Sequence, residues 1–125
     1  SHMGIKTHRA KVMAGSLIDH WLKYALQLHF EINFNDRVGH RVAQHKFQEI
    51  CQMDTRLLNP EFSLTMSVME DPIYESFMLI SYVNDFYHIH NLEANTWEQI
   101  MLHNQQINKY IDLEETIKGR EVEYD

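Results

Sequence analysis

Cysteine is all but missing. Cys51 stands alone in the chain, which excludes an internal disulfide framework and any zinc site built from clustered cysteines. A reduced, intracellular setting is the simplest expectation. Proline (two) and glycine (four) are nearly as scarce. With so few glycines there is no glycine-rich loop to cradle phosphates, and no Walker A, GxGxxG, GxSxG or HExxH pattern occurs. No apolar run approaches the roughly 18 residues a membrane span needs, and the polar start lacks the apolar stretch of a signal peptide. Positive charge is in deficit, 11 Lys and Arg against 18 Asp and Glu. A chain of net charge −7 is repelled by nucleic acid at long range. These absences point away from enzymes with a recognisable motif, and neither a catalytic function nor a cofactor is expected.

The deficit is uneven. Residues 4–59 carry a net +3 and residues 60–125 a net −10. An acidic second half suits a basic partner. Ser1-His2-Met3 reads as the remnant of a cleaved tag, residues 4–119 as one domain, and residues 120–125 as an acidic tail.

What the chain does have is apolar residues at helical spacing. In residues 71–91, Ile73, Phe77, Ile80, Val83 and Tyr87 recur on one side and Tyr74, Met78, Tyr82 and Phe86 on another. A helix apolar around most of its circumference is a buried helix. Asp71 can cap it and Pro72 suits its first position. The spacing therefore predicts a central helix over about 72–90. Met13, Leu17, Trp21, Tyr24, Leu28 and Ile32 predict a first helix over 6–32, with Thr7 as its cap. Asp36 can cap a second over 37–58, which would bury Cys51 on an apolar face. Thr96 and Gln99 form a capping box for a last helix over 97–118, ended by Gly119.

Residues 62–69 are ambiguous. Phe62, Leu64, Met66 and Val68 alternate with Ser63, Thr65 and Ser67, which is a strand pattern. No partner strand is evident, so a short helix is preferred there. The expected fold is all-α, an irregular four- to five-helix bundle around the buried central helix.

Eight histidines lie outside the tag remnant. His45 and Glu49 are one helical turn apart. His88 and His90 close the central helix, and His103 sits on the last. Imidazoles and carboxylates on facing helices are how bundles hold metals. His45 to Glu49 has the HxxxE spacing that hemerythrins use, but the HxxxH pair of that family is absent and Asn108 stands where an aspartate is wanted. No family resemblance is drawn. No bound metal is expected, and a site at His45, Glu49, His88, His90 and His103 is kept as an alternative.

The expected function is that of a small helical protein–protein interaction module, of adaptor or inhibitor type, binding a basic partner. Tyr74, Met78 and Tyr82 would form its contact face, with Glu114 and Glu115 supplying charge. A homodimer through the same face is expected as well. The remaining alternative is a nucleic-acid-associated factor using Lys6, His8, Arg9, Lys11, Arg37, Arg41 and Lys46.

Overall fold

A computed structural model of the chain describes residues 20–53, 59–71 and 73–124, with the side chains of the last helix described as far as Gly119. It is α+β and not an all-α bundle. In chain order the elements are β1 (Ala25–Ile32), α1 (Arg37–Cys51), β2 (Ser63–Val68), β3 (Phe77–Tyr82), β4 (Tyr87–Asn91) and α2 (Trp97–Tyr124). The strands form one mixed sheet in the order β2-β1-β3-β4. β2 runs parallel to β1 and is reached through α1, as a parallel pair requires a crossover. β3 is antiparallel to β1, and β4 to β3.

The central helix does not exist. Its span holds β3, a tight turn and β4. Residues 77–82, Phe-Met-Leu-Ile-Ser-Tyr, place Met78, Ile80 and Tyr82 on the buried face of β3 and Phe77 and Leu79 on the other. A strand apolar on both sides satisfies a helical template by accident. The turn lies at Val83-Asn84-Asp85. Asp85 adopts φ 68°, the left-handed region that Asn and Asp tolerate best among non-glycine residues. The Phe86 carbonyl accepts the Tyr82 N–H at 2.8 Å, and the Tyr82 carbonyl accepts the Asp85 N–H at 3.1 Å. This is a three-residue hairpin loop ending in a left-handed residue.

The first expected helix fails in the same way. Leu28, Phe30 and Ile32 alternate with Gln27, His29 and Glu31, and residues 25–32 form β1. The part of that expectation on residues 6–19, including Met13, Leu17, Thr7 and the basic residues Lys6, His8, Arg9 and Lys11, lies outside the described residues, as does Pro72. Residues 62–69 follow their period of two: β2 pairs with β1 in unbroken register, Leu64 opposite Leu28 and Met66 opposite Phe30.

Both expected flanking helices occur. Asp36 caps α1 by accepting the Gly39 N–H at 2.9 Å. The helix ends at Cys51, which is exposed and not buried; residues 54–58 lie outside the described ones. The capping box of α2 is formed: the Thr96 hydroxyl accepts the Gln99 N–H at 3.2 Å, and the Gln99 side-chain carbonyl accepts the Thr96 N–H at 2.9 Å. Gly119 does not end this helix, which continues to Tyr124.

Both helices cover the same face of the sheet. Leu28, Phe30 and Ile32 of β1 and Met78, Ile80 and Tyr82 of β3 are buried beneath them. Phe47 of α1 meets Phe30 edge to face, with centroids 6.3 Å apart. Ile100 and Ile111 of α2 complete the core. Two polar bonds fix α2 on the sheet. Tyr82 Oη donates to Asn104 Oδ1 at 2.7 Å, and Asn104 Nδ2 donates to the Trp21 carbonyl at 2.7 Å.

Candidate metal centre

His88 and His90 are two residues apart on β4, so both imidazoles project from one face of the strand. It is the helix-covered face, because His90 lies opposite Met78 and His88 opposite Ile80 in the register of β3 and β4. His103 comes down from the second turn of α2. The capping box sets where that helix starts, and the Tyr82–Asn104 bond fixes the residue next to His103. Strand and helix thus bring three imidazoles to one point.

One ring nitrogen from each of His88, His90 and His103 lies within 4.8 Å of the other two. The ring centroids are 4.4 Å apart for His88 and His90, 4.1 Å for His88 and His103, and 5.2 Å for His90 and His103. His88 is exposed, His103 half-buried, and His90 only 4% exposed. Nε2 of His90 and Nδ1 of His103 are both buried without a hydrogen-bond partner. His20 Nε2 and His40 Nδ1 share that condition but belong to no such cluster among the described residues.

Burial pushes the His90 imidazole down to about 4, and the neighbouring His88 and His103 push in the same direction. His103 is lowered as well, first by burial and then by His88. Both rings are therefore neutral near pH 7, the form in which an imidazole ligates a metal. Beside the cluster an open cleft of about 300 Å³ is lined by His88 and His103 together with Asp85, Phe86, Tyr87 and Ile107. Phe86 stacks on Tyr110 of α2 at 5.4 Å and closes one wall.

Of the five metal-ligand candidates, the fold assembles His88, His90 and His103. His45 and Glu49 face each other at 3.6 Å as an exposed pair on α1 and are not part of the cluster. The expected contact face is dismantled. Tyr74 is 71% exposed in the loop before β3, whereas Met78 and Tyr82 are buried in the core. Glu114 is half-buried and Glu115 exposed on α2. The basic residues do not converge either: Arg37 and Arg41 are exposed, but Lys46 lies over the Trp97 ring at 4.6 Å and pairs with Glu49 at 3.3 Å.

Sequence reasoning missed a polar cluster on the face of the sheet opposite the two helices. His29 is hydrogen-bonded to Thr65 Oγ1 at 2.7 Å and to Glu31 at 2.7 Å, and Ser67 donates to Glu31 at 2.5 Å. Strand alternation across β1 and β2 would have predicted it. The Ser67 hydroxyl first, then His29, hold the Glu31 carboxyl below its usual range. The chain matches no protein-family model and no curated protein.

Proposed function

We propose that this protein is a metal-ion-binding module, with His88, His90 and His103 taking a divalent cation of the zinc class. Neutral imidazole nitrogen suits zinc, copper and nickel, while calcium and magnesium require oxygen ligands. The observation that carries this reading is the convergence of three ring nitrogens within 4.8 Å, two of the rings each holding a buried nitrogen with no partner. A buried, unsatisfied polar atom costs about 1–3 kcal/mol. An ion shared among the rings would satisfy them together. Zinc–nitrogen bonds of about 2.0–2.1 Å in tetrahedral geometry place the nitrogens about 3.4 Å apart, so nitrogens now within 4.8 Å would draw together by at most about 1.4 Å on binding.

His88 and His103 line the cleft while His90 lies beneath, so the free coordination position would open toward the cleft. The ion would also tie β4, an edge strand, to α2. A module clipped in this way gains stability from metal in proportion to its affinity. A reducing, intracellular setting suits a chain whose one thiol is free and exposed. Calorimetric titration of tag-free protein with zinc tests the reading. One ion per chain is expected for the native protein, and none for His90→Ala. A native protein that takes up no zinc, or a His90→Ala variant that binds it equally well, would rule the site out.

A second reading, the interaction module, is favoured by the outer part of α2. Tyr110, Leu113 and Ile117 are exposed there along one side of the helix, beside Glu114 and Glu115. An apolar stripe edged with carboxylates fits a basic amphipathic helix of another protein. Leu113→Ser with Ile117→Ser should abolish binding of such a partner without altering zinc uptake. Retention of the partner by the double variant would exclude this surface.

A further inference from the structure

Among the described residues, β2 is an edge strand without the usual protection. Natural edges are guarded by lysine, proline, a bulge or a covering element. Residues 63–68, Ser-Leu-Thr-Met-Ser-Val, carry no charge and no proline, and their register with β1 is unbroken. Met66 and Val68 lie on the helix-covered face of the sheet, opposite Phe30 and Ile32. Leu64, on the same face, is half-buried against the core, yet Met66 and Val68 remain 40% and 52% exposed.

The hydrogen-bonding direction of each residue follows from one bond. The Met69 N–H donates to the Ile32 carbonyl at 2.9 Å, so Met69 faces β1. Successive residues of a strand direct their backbone groups to opposite edges. Ser63, Thr65 and Ser67 therefore bond inward to β1, while Leu64, Met66 and Val68 present N–H and C=O to the open edge.

We propose that this edge pairs with β2 of a second copy of the chain, antiparallel about a two-fold axis at Met66, joining two sheets into one. A second copy of β2 offers the same backbone groups at the same spacing, with side chains that match on both faces. Met66 would lie opposite Met66 of the second copy and Leu64 opposite Val68, each pair exchanging both backbone bonds. On the helix side an apolar row meets an apolar row. On the other side Thr65 meets Ser67 of the second copy, hydroxyl to hydroxyl, while Ser63 lies opposite Met69. Two chains of net charge −7 repel each other, and β2 is an edge along which they can approach with no charged side chain on the strand itself. The other edge, β4, bears His88 and His90 and would carry the proposed ion.

The test is the mass in solution of tag-free protein at micromolar concentration, by light scattering. The native chain is expected at twice 15.0 kDa. Met66→Lys and Met66→Glu each place like charges directly opposite across the axis, which is destabilising in a sheet pair. Each variant alone is expected as a monomer, and an equimolar mixture of the two as a dimer. A monomeric native protein overturns the proposal. So does a dimer that survives Met66→Lys. Hydrogen exchange on the native chain needs no variant: the amides of Leu64, Met66 and Val68 should slow as concentration rises, and rapid exchange at every concentration would equally overturn it.

Discussion

Asp36 Oδ2 accepts the backbone N–H of Ser76, 40 residues away, at 2.9 Å. The other oxygen of the same carboxylate accepts the Gly39 N–H and caps α1. The Ser76 hydroxyl in turn accepts the Asn33 N–H at 2.9 Å and donates to the Asn33 carbonyl at 3.3 Å. One buried carboxylate thus joins the end of β1, the start of α1 and the entry to β3. Loss of a helix cap costs about 1 kcal/mol and an orphaned buried N–H about 1–3 kcal/mol. Asp36→Ala should lower stability by about 2–4 kcal/mol in urea unfolding, and Asp36→Asn by clearly less, since the amide oxygen can still accept one of the two bonds.

Gly39 is tied to the same junction. A Cβ there would fall 2.0 Å from Asp36 Oδ2 and 2.9 Å from Ser76 Cβ. Alanine gains about 1 kcal/mol of helix propensity over glycine in a helix interior. Displacing the Asp36 carboxylate forfeits about 2–4 kcal/mol by the same reasoning. Gly39→Ala should therefore destabilise, against the propensity scale, as a lower urea midpoint. Gly119 is the control: nothing lies near its Cβ position, and Gly119→Ala should be neutral or stabilising.

Tyr82→Phe tests the seat of α2. It removes the donor to Asn104 Oδ1 and leaves that buried oxygen unpaired. A loss of about 1–3 kcal/mol is expected in thermal or urea unfolding. Because Asn104 adjoins His103, zinc affinity should fall as well, while the ligand set stays intact.

The helices were legible because their ends carry local chemistry. Asp36, Thr96 and Gln99 act within a few residues of themselves and need no knowledge of the fold. The strands were not legible, for two reasons. β3 is apolar on both faces, so its pattern fits any period, and the Asn84-Asp85 turn that divides it from β4 lies inside an apolar run. β2 displays a clean alternation, but no partner strand for it is evident in the sequence. Its partner, β1, lay in a segment with a competing helical pattern. The site followed the same course. On a helix His88 and His90 point apart; on a strand the His-x-His spacing aims both at one spot, and that spacing was the available signal. His103 carried none, since only the tertiary packing of α2 on β4 brings it there.

Acid should weaken the metal-free protein through the same cluster. His90 is held down to about 4 in the folded chain, against an ordinary value near 6.5. The unfolded chain therefore binds the extra proton first. The stability from keeping this ring neutral is complete above about pH 6.5 and is lost as pH falls toward about 4, at no more than about 1.4 kcal/mol per pH unit for one proton. His103, lowered in the same sense, adds to the loss. Urea midpoints measured from about pH 7 down to about pH 5 should fall, and His90→Asn should show a shallower decline over that window.

The zinc K-edge X-ray absorption spectrum of tag-free protein, loaded with one equivalent of zinc and passed through a desalting column, tests the metal centre most directly. We expect zinc to remain bound, with three imidazole nitrogens at about 2.0–2.1 Å and one oxygen ligand from water at the position facing the cleft. Zinc lost on the column, or held by one imidazole and a carboxylate as the exposed His45–Glu49 pair would hold it, would contradict the account.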